Sequence, residues 1–170
     1  MSDSYVTLNQ ESHTMAGLAM AELMGAVLEK SVPFRFTAPG FSMTPFIRDG
    51  DIITIAPLPL RLQAGDIVAF INPCCRRLTV HRIVHVSEKG YLIKGDNNPE
   101  ADGRVQLSTI IGKVVRVEHG NRSVRLGLGL ERHAIAWLSR REWLRPVMWR
   151  VWRVIKPICR RNNCLTSSKR

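Results

Sequence analysis

Residues 65–98 read GDIVAFINPCCRRLTVHRIVHVSEKGYLIKGDNN. Three runs within this stretch are dense in β-branched and aromatic residues: 66–71, 78–86 and 90–95. Each is too short for a stable helix, and turn formers bound them: Gly65-Asp66, Asn72-Pro73, Lys89-Gly90 and Gly95-Asp96. The stretch therefore reads as successive strands. The same grammar extends outward, to DIITIA at 51–56 and IIGKVVRVEH at 110–119. Gly50-Asp51-Ile52-Ile53 and Gly65-Asp66-Ile67-Val68 open alike, which reads as one turn-into-strand device used twice rather than as a repeat. Many short strands at this spacing predict a mainly β fold, a coiled antiparallel sheet or small barrel, across residues 34–120.

The flanks differ from this centre. Residues 1–13 are polar, and residues 14–30, TMAGLAMAELMGAVLEK, gather Leu18, Met20, Leu23, Met24, Val27 and Leu28 on a broad apolar face. That pattern predicts a helix capped by Thr14 and ended by Pro33, making 1–33 an N-terminal tail and helix. Beyond residue 120 the chain changes again. NRSVRLGLGL reads as a glycine-broken connector, and residues 131–156 predict amphipathic helices split at Pro146. Ala134, Trp137, Leu138, Leu144, Met148, Val151 and Ile155 fall near one helical stripe. Arg132, Arg140, Arg145, Arg150, Arg153 and Lys156 are interleaved with it. All four tryptophans lie after residue 136, so 121–170 reads as a basic, Trp/Arg-rich helical tail.

The chain has 170 residues, 45% of them apolar, enough for one domain with a sizeable core. Its formal net charge is +11, and Lys and Arg crowd residues 131–161, which hold only two Glu. An anionic partner is expected there. Tryptophan and arginine on one amphipathic helix suit an anionic membrane surface, with packing on the protein's own core as the alternative. Nucleic acid is not expected. The four cysteines, Cys74, Cys75, Cys159 and Cys164, form no Cys-x-x-Cys pair and read as reduced thiols. No run reaches the roughly 18 apolar residues of a membrane span, and Met15–Leu28 lacks the basic flank of a signal peptide. A cytoplasmic or peripheral-membrane location is the expectation.

Chemistry enters with GFSMTPF at residues 40–46, where a lone serine sits on a stiff, apolar support. A free hydroxyl is almost wholly protonated at neutral pH, so Ser42 needs a base to act as a nucleophile. His81, His85 and Lys94 are the candidates in the β-rich region. His81 and His85, four residues apart in one strand, should face the same side, so periodicity does not separate them. KGDNNPEAD at 94–102 adds Asp96 and Asp102, which on their own would be read as Asx-turn residues.

Taken in order, these pieces resemble the type I signal peptidases and the related self-cleaving LexA-type repressors. PGFSMTPFI at 39–47 resembles the serine box, GDIVAF at 65–70 the Gly-Asp-Ile-Val strand, and TVHRIV at 79–84 the box that carries the general base. KGDNN at 94–98 and IIGKVVRV at 110–117 complete the set, and the resemblance covers about residues 36–117. Most of these proteins use a lysine base. A histidine at this position resembles the endoplasmic-reticulum and archaeal branch. The resemblance implies Ser42 as nucleophile, His81 as general base, Asp102 as the carboxylate orienting it, and Asp96 as a second required carboxylate that holds the loop or assists. It also implies Gly40, Phe41 and Met43 as the oxyanion and substrate-binding segment, with Phe41 and Met43 anchored in apolar surroundings. The swap is physically sound. A lysine must lose more than three pKa units, from ~10.4 to about 7, whereas imidazole starts near ~6.5.

The expected activity is that of a serine endopeptidase cutting an extended peptide or preprotein after a small residue. Two other readings stand beside it: a LexA-like regulator that cleaves itself, and a binding module that keeps the fold without the chemistry. Ala16-Gly17 is the bond such a regulator would cut, but 39 residues before Gly40 are few for a DNA-binding domain and hinge. Gly40 stands where many lysine-type signal peptidases have a serine that supports the oxyanion. No cofactor and no metal are implied, because no phosphate loop and no metal-ligand cluster occurs.

Overall fold

The computed structural model describes residues 10–120, 122–144 and 146, with side chains described from residue 17 onward. The five runs read from the sequence are strands β2 (Ile52–Ala56), β3 (Ile67–Ile71), β4 (Leu78–Ser87), β5 (Gly90–Lys94) and β7 (Ile110–His119). Three shorter strands join them: β1 (Phe34–Thr37), β6 (Gly103–Val105) and β8 (Arg122–Val124). All eight form one antiparallel sheet in the order β1-β2-β7-β3-β4-β5-β6, with β8 beside β7, and the sheet does not close. The fold class is the one the sequence implies.

The doubled Gly-Asp signal does what its sequence promised. Gly50 and Gly65 take φ of 84° and 102°, a region costly for other residues. The next side chain, Asp51 or Asp66, accepts the backbone N–H three residues earlier, at 2.8 Å from Arg48 and 3.0 Å from Gln63. Each turn thus feeds its strand with one backbone N–H satisfied by the aspartate side chain.

Strand β3 is buried on both faces, which explains its unbroken apolar run. Ile67 and Ala69 face a cluster with Ile53, Ile55, Val114 and Val117, closed by Met24 and Leu28 of the helix α1 (Gln10–Glu29). Val68 and Phe70 face a second cluster with Leu62, Ile83, Ile93 and Val105. In α1, Ala21, Met24 and Leu28 recur at helical spacing and are buried. The helix already runs from Gln10, so Thr14 lies inside it and is not its cap. Its end is a Schellman turn: Val32 N–H bonds Val27 O, Ser31 N–H bonds Leu28 O, and Ser31 takes φ 58°.

Residues 122–144 pack on this body. Strand β8 extends the sheet, and helix α2 (Arg132–Arg140) lies against β4. Ile135 and Leu144 bury Phe46, and a Cβ at Gly127 would stand only 3.0 Å from the Phe46 ring. The buried face of α2 is Ile135, Ala136 and Ser139; of the apolar stripe read from the sequence, Leu138 and Leu144 pack inward whereas Ala134 and Trp137 are exposed. A second Schellman turn ends α2. Trp143 N–H bonds Leu138 O, Glu142 N–H bonds Ser139 O, and Glu142 takes φ 60°. The chain reverses there, turning Leu144 inward and Trp143 outward. The predicted helical residues Met148, Val151 and Ile155 lie outside the described residues.

Candidate active site

Ser42 sits on a tight turn between β1 and β2. Gly40, at φ 90°, lets the chain enter it, and Gly40 N–H donates to Asp49 Oδ1 at 2.7 Å. Thr44 N–H bonds Phe41 O at 3.2 Å and Ile47 N–H bonds Met43 O at 3.1 Å, so the turn is internally tied. Met43 is buried and anchors the segment as expected, whereas Phe41 is 67% exposed beside the serine, contrary to the expected apolar anchoring. The loop after β5 grips the turn from the other side. Asn97 donates its backbone N–H to Ser42 O at 2.8 Å and its side-chain amide to Phe41 O at 3.2 Å. Gly95 permits this approach, because a Cβ there would lie 2.9 Å from Ser42 O.

His81 projects from β4 and is buried. Its Nε2 lies 2.9 Å from Ser42 Oγ, and its Nδ1 lies 2.6 Å from Asp102 Oδ2. A carboxylate accepts only, so Nδ1 carries the proton and Nε2 is free to accept from the serine hydroxyl. Asp102 is held twice. Its backbone N–H bonds Ile93 O at 2.9 Å, and its Oδ1 accepts from Asn72 Nδ2 at 3.0 Å. The Asn72 amide is oriented in turn by Cys74 N–H, which donates to Asn72 Oδ1 at 2.9 Å. Sequence reading missed Asn72, because Asn-Pro directly after a strand reads as turn chemistry alone.

The other candidates are placed elsewhere. Asp96 does not approach His81; both its oxygens take bonds from the buried Arg82, Nε at 2.9 and 3.2 Å and Nη2 at 2.8 Å. Arg82 Nη1 also donates to Gly65 O at 2.9 Å and Gly127 O at 2.8 Å, and its guanidinium lies 5.3 Å from the Phe46 ring centroid. Arg82 thus ties the serine turn, the Asp96 loop and the segment before α2 together. His85 is not beside His81, as strand alternation implied. A register shift between Ile83 and His85 reverses the alternation, and His85 Nδ1 accepts from Arg140 Nη1 at 3.2 Å. Lys94 is buried and donates to Ser139 O at 3.4 Å. Of the three candidate bases, only His81 meets Ser42.

A cleft of about 780 Å³ opens at Ser42. Phe36, Thr37 and Ala38 line one side and Arg77 to Val80 the other, with Met43, Ile47 and, from α1, Gly17 and Met20 between them. Strand β1 pairs only with β2, and Leu78–His81 of β4 pair only with β3, so both sides present open strand edges among the described residues. Among the described residues, the Ser42 backbone N–H has no protein acceptor, whereas that of Gly40 is committed to Asp49.

An open antiparallel β domain with serine, histidine and aspartate bonded in series beside an apolar cleft defines the serine-peptidase-like class. The Peptidase S24-like family model matches residues 7–115, and the chain belongs to that family, which groups serine peptidases with LexA-like self-cleaving proteins. The match ends before β8 and α2. No curated protein matches the chain.

Proposed function

We propose that the protein is a serine endopeptidase of the signal-peptidase type that cuts an extended peptide after a small residue. The observation that carries this reading is the unbroken series Ser42 Oγ–His81 Nε2 and His81 Nδ1–Asp102 Oδ2 at 2.9 and 2.6 Å. In the acylation step, His81 takes the hydroxyl proton as Ser42 Oγ attacks the scissile carbonyl. Asp102 holds the imidazole and stabilises the imidazolium that forms. The Ser42 N–H, without a protein acceptor among the described residues, would be a backbone donor for the oxyanion. His81 then gives its proton to the leaving amine, and water releases the acyl group by the reverse path.

The cleft supports an extended substrate. Two open strand edges offer main-chain partners on either side, the geometry of strand addition. Phe36, Met43, Ile47 and Val80 line the cleft beside Ser42 with apolar surface, which suits an uncharged side chain next to the scissile bond. Asp96 acts through the fold in this reading, by pairing Arg82.

Self-cleavage is the alternative within the family. Against it, Ala16-Gly17 lies within α1, and a protease binds its substrate extended. The test is a defined library of short peptides incubated with wild type and with Ser42→Ala, read by mass spectrometry. Cuts made only by the wild type, with small residues before the cut, support the proposal. No cut in the library, together with a Ser42-dependent break in the protein's own chain, would shift the reading to the self-cleaving alternative.

A further inference from the structure

The reversal at Glu142 places two tryptophans side by side on the surface. Trp137 and Trp143 are 51% and 55% exposed, with ring centroids 6.2 Å apart in an edge-to-face pair. Neither takes part in the apolar cluster that seats α2, which is built from Phe46, Ile135, Leu138 and Leu144. Ala134, Trp137 and Arg141 follow one another at helical spacing on the exposed side of α2, and Arg141 lies over the Trp137 ring at 5.2 Å. Arg140 and His133 are also exposed. Large aromatic surface left in water beside arginines calls for an occupant.

Charge indicates which one. Glu131, just before α2, is tied back on the preceding loop, its carboxylate accepting Gly127 N–H and Gly129 N–H at 2.7 and 3.0 Å, which leaves the exposed Glu142 as the one acidic side chain beside the two tryptophans among the described residues of this segment. After Glu142 the sequence holds no Asp or Glu but carries Arg145, Arg150, Arg153, Lys156, Arg160, Arg161, Lys169 and Arg170, together with Trp149 and Trp152. We infer that the exposed face of α2, with Trp137 and Trp143 as the seated rings and Arg140 and Arg141 as the cationic rim, is a docking surface for an anionic lipid bilayer. Indole rings settle at the headgroup level, and arginines beside them meet the lipid phosphates. Single-stranded nucleic acid shares the charge but needs open ring faces for stacking. Here Arg141 covers a face of Trp137, and Trp143 packs against the same ring.

The test uses the full chain and co-sedimentation with vesicles of phosphatidylcholine alone or mixed with phosphatidylglycerol. Binding to the mixed vesicles at low salt, little binding to phosphatidylcholine alone, and loss at high salt are expected. Trp137→Ser with Trp143→Ser should lower partitioning about tenfold or more. Arg140→Gln with Arg141→Gln should lower it about 30-fold at low salt, from roughly 1 kcal/mol per basic residue. Thermal melts establish that each variant is folded, and the arginine pair carries the test if the tryptophan pair does not fold. Absence of binding by wild type overturns the proposal, as does binding that neither pair changes, which would move the contact to residues beyond α2. Displacement from vesicles by an oligothymidylate, with tighter binding to it, would assign the face to nucleic acid instead.

Discussion

Asp96→Ala separates a carboxylate that holds the fold from one that serves the reaction. The side chains of Arg82 and Asp96 have no exposed surface, and three of the five bonds made by the guanidinium end on Asp96. Removing the carboxylate leaves a buried, unpaired cation, at a cost of about 3–5 kcal/mol. For a chain of this size each kcal/mol shifts the melting temperature by roughly 2–4 °C, so a fall of about 6–20 °C is expected. None of the bonds among Ser42, His81 and Asp102 uses Asp96. Well below the melting temperature, the variant should therefore keep activity within about tenfold of wild type, the loss coming from a looser Asn97 grip on Ser42 O. Replacing both partners, Arg82→Met with Asp96→Leu, should recover part of the stability, less the bonds to Gly65 O and Gly127 O, at about 1 kcal/mol each. The assay is a melt by circular dichroism beside cleavage of a library peptide. Asp96→Ala melting with wild type yet as inactive as Ser42→Ala would refute this assignment and make Asp96 part of the reaction.

Asn72→Ala removes the amide that holds Asp102 Oδ1; loss of a bond to a charged group predicts a fall of about 10–100-fold in kcat with little change in melting, read by peptide kinetics and a melt. The carboxyl of Glu131 is held below its ordinary value of 4.5 by its own backbone N–H and those of Gly127 and Gly129. A depressed carboxylate stabilises the fold above its unfolded pKa, and that contribution fades as pH falls through the folded one. The melting difference between wild type and Glu131→Gln should therefore shrink from about pH 6 to about pH 3, and a constant difference would remove the linkage. Prolonged incubation at alkaline pH should leave the bond Ala16-Gly17 intact by mass spectrometry, because it lies in α1 with Gly17 packed near Leu78 N.

The sequence disclosed what depends on local composition. The five longer strands announce themselves through β-branched runs between turn formers, whereas Ser42, His81 and Asp102 are singled out by the resemblance of their ordered boxes to a known family. What stayed hidden depends on partners distant in sequence. Strands β1, β6 and β8 are three or four residues long and exist because a neighbour pairs with them. The partner of Asp96 is not visible in the sequence until Arg82 is seen to donate to both its oxygens. Two histidines four residues apart look equivalent until a bulge sends one toward Arg140. The end of α2 stayed hidden because a left-handed residue, Glu142, stops the helix where sequence alone sees continuing helical periodicity.

The most direct measurement compares His81→Ala and His85→Ala for cleavage of one peptide from the library. The two rings share a strand, yet only His81 meets Ser42 Oγ, at 2.9 Å. His81→Ala should lower the rate by about 10²–10⁴, the contribution of a positioned base. His85→Ala, losing one exposed bond to Arg140, should keep most of the activity. Equal loss in the two variants, or full activity in His81→Ala, would contradict a Ser42–His81 peptidase.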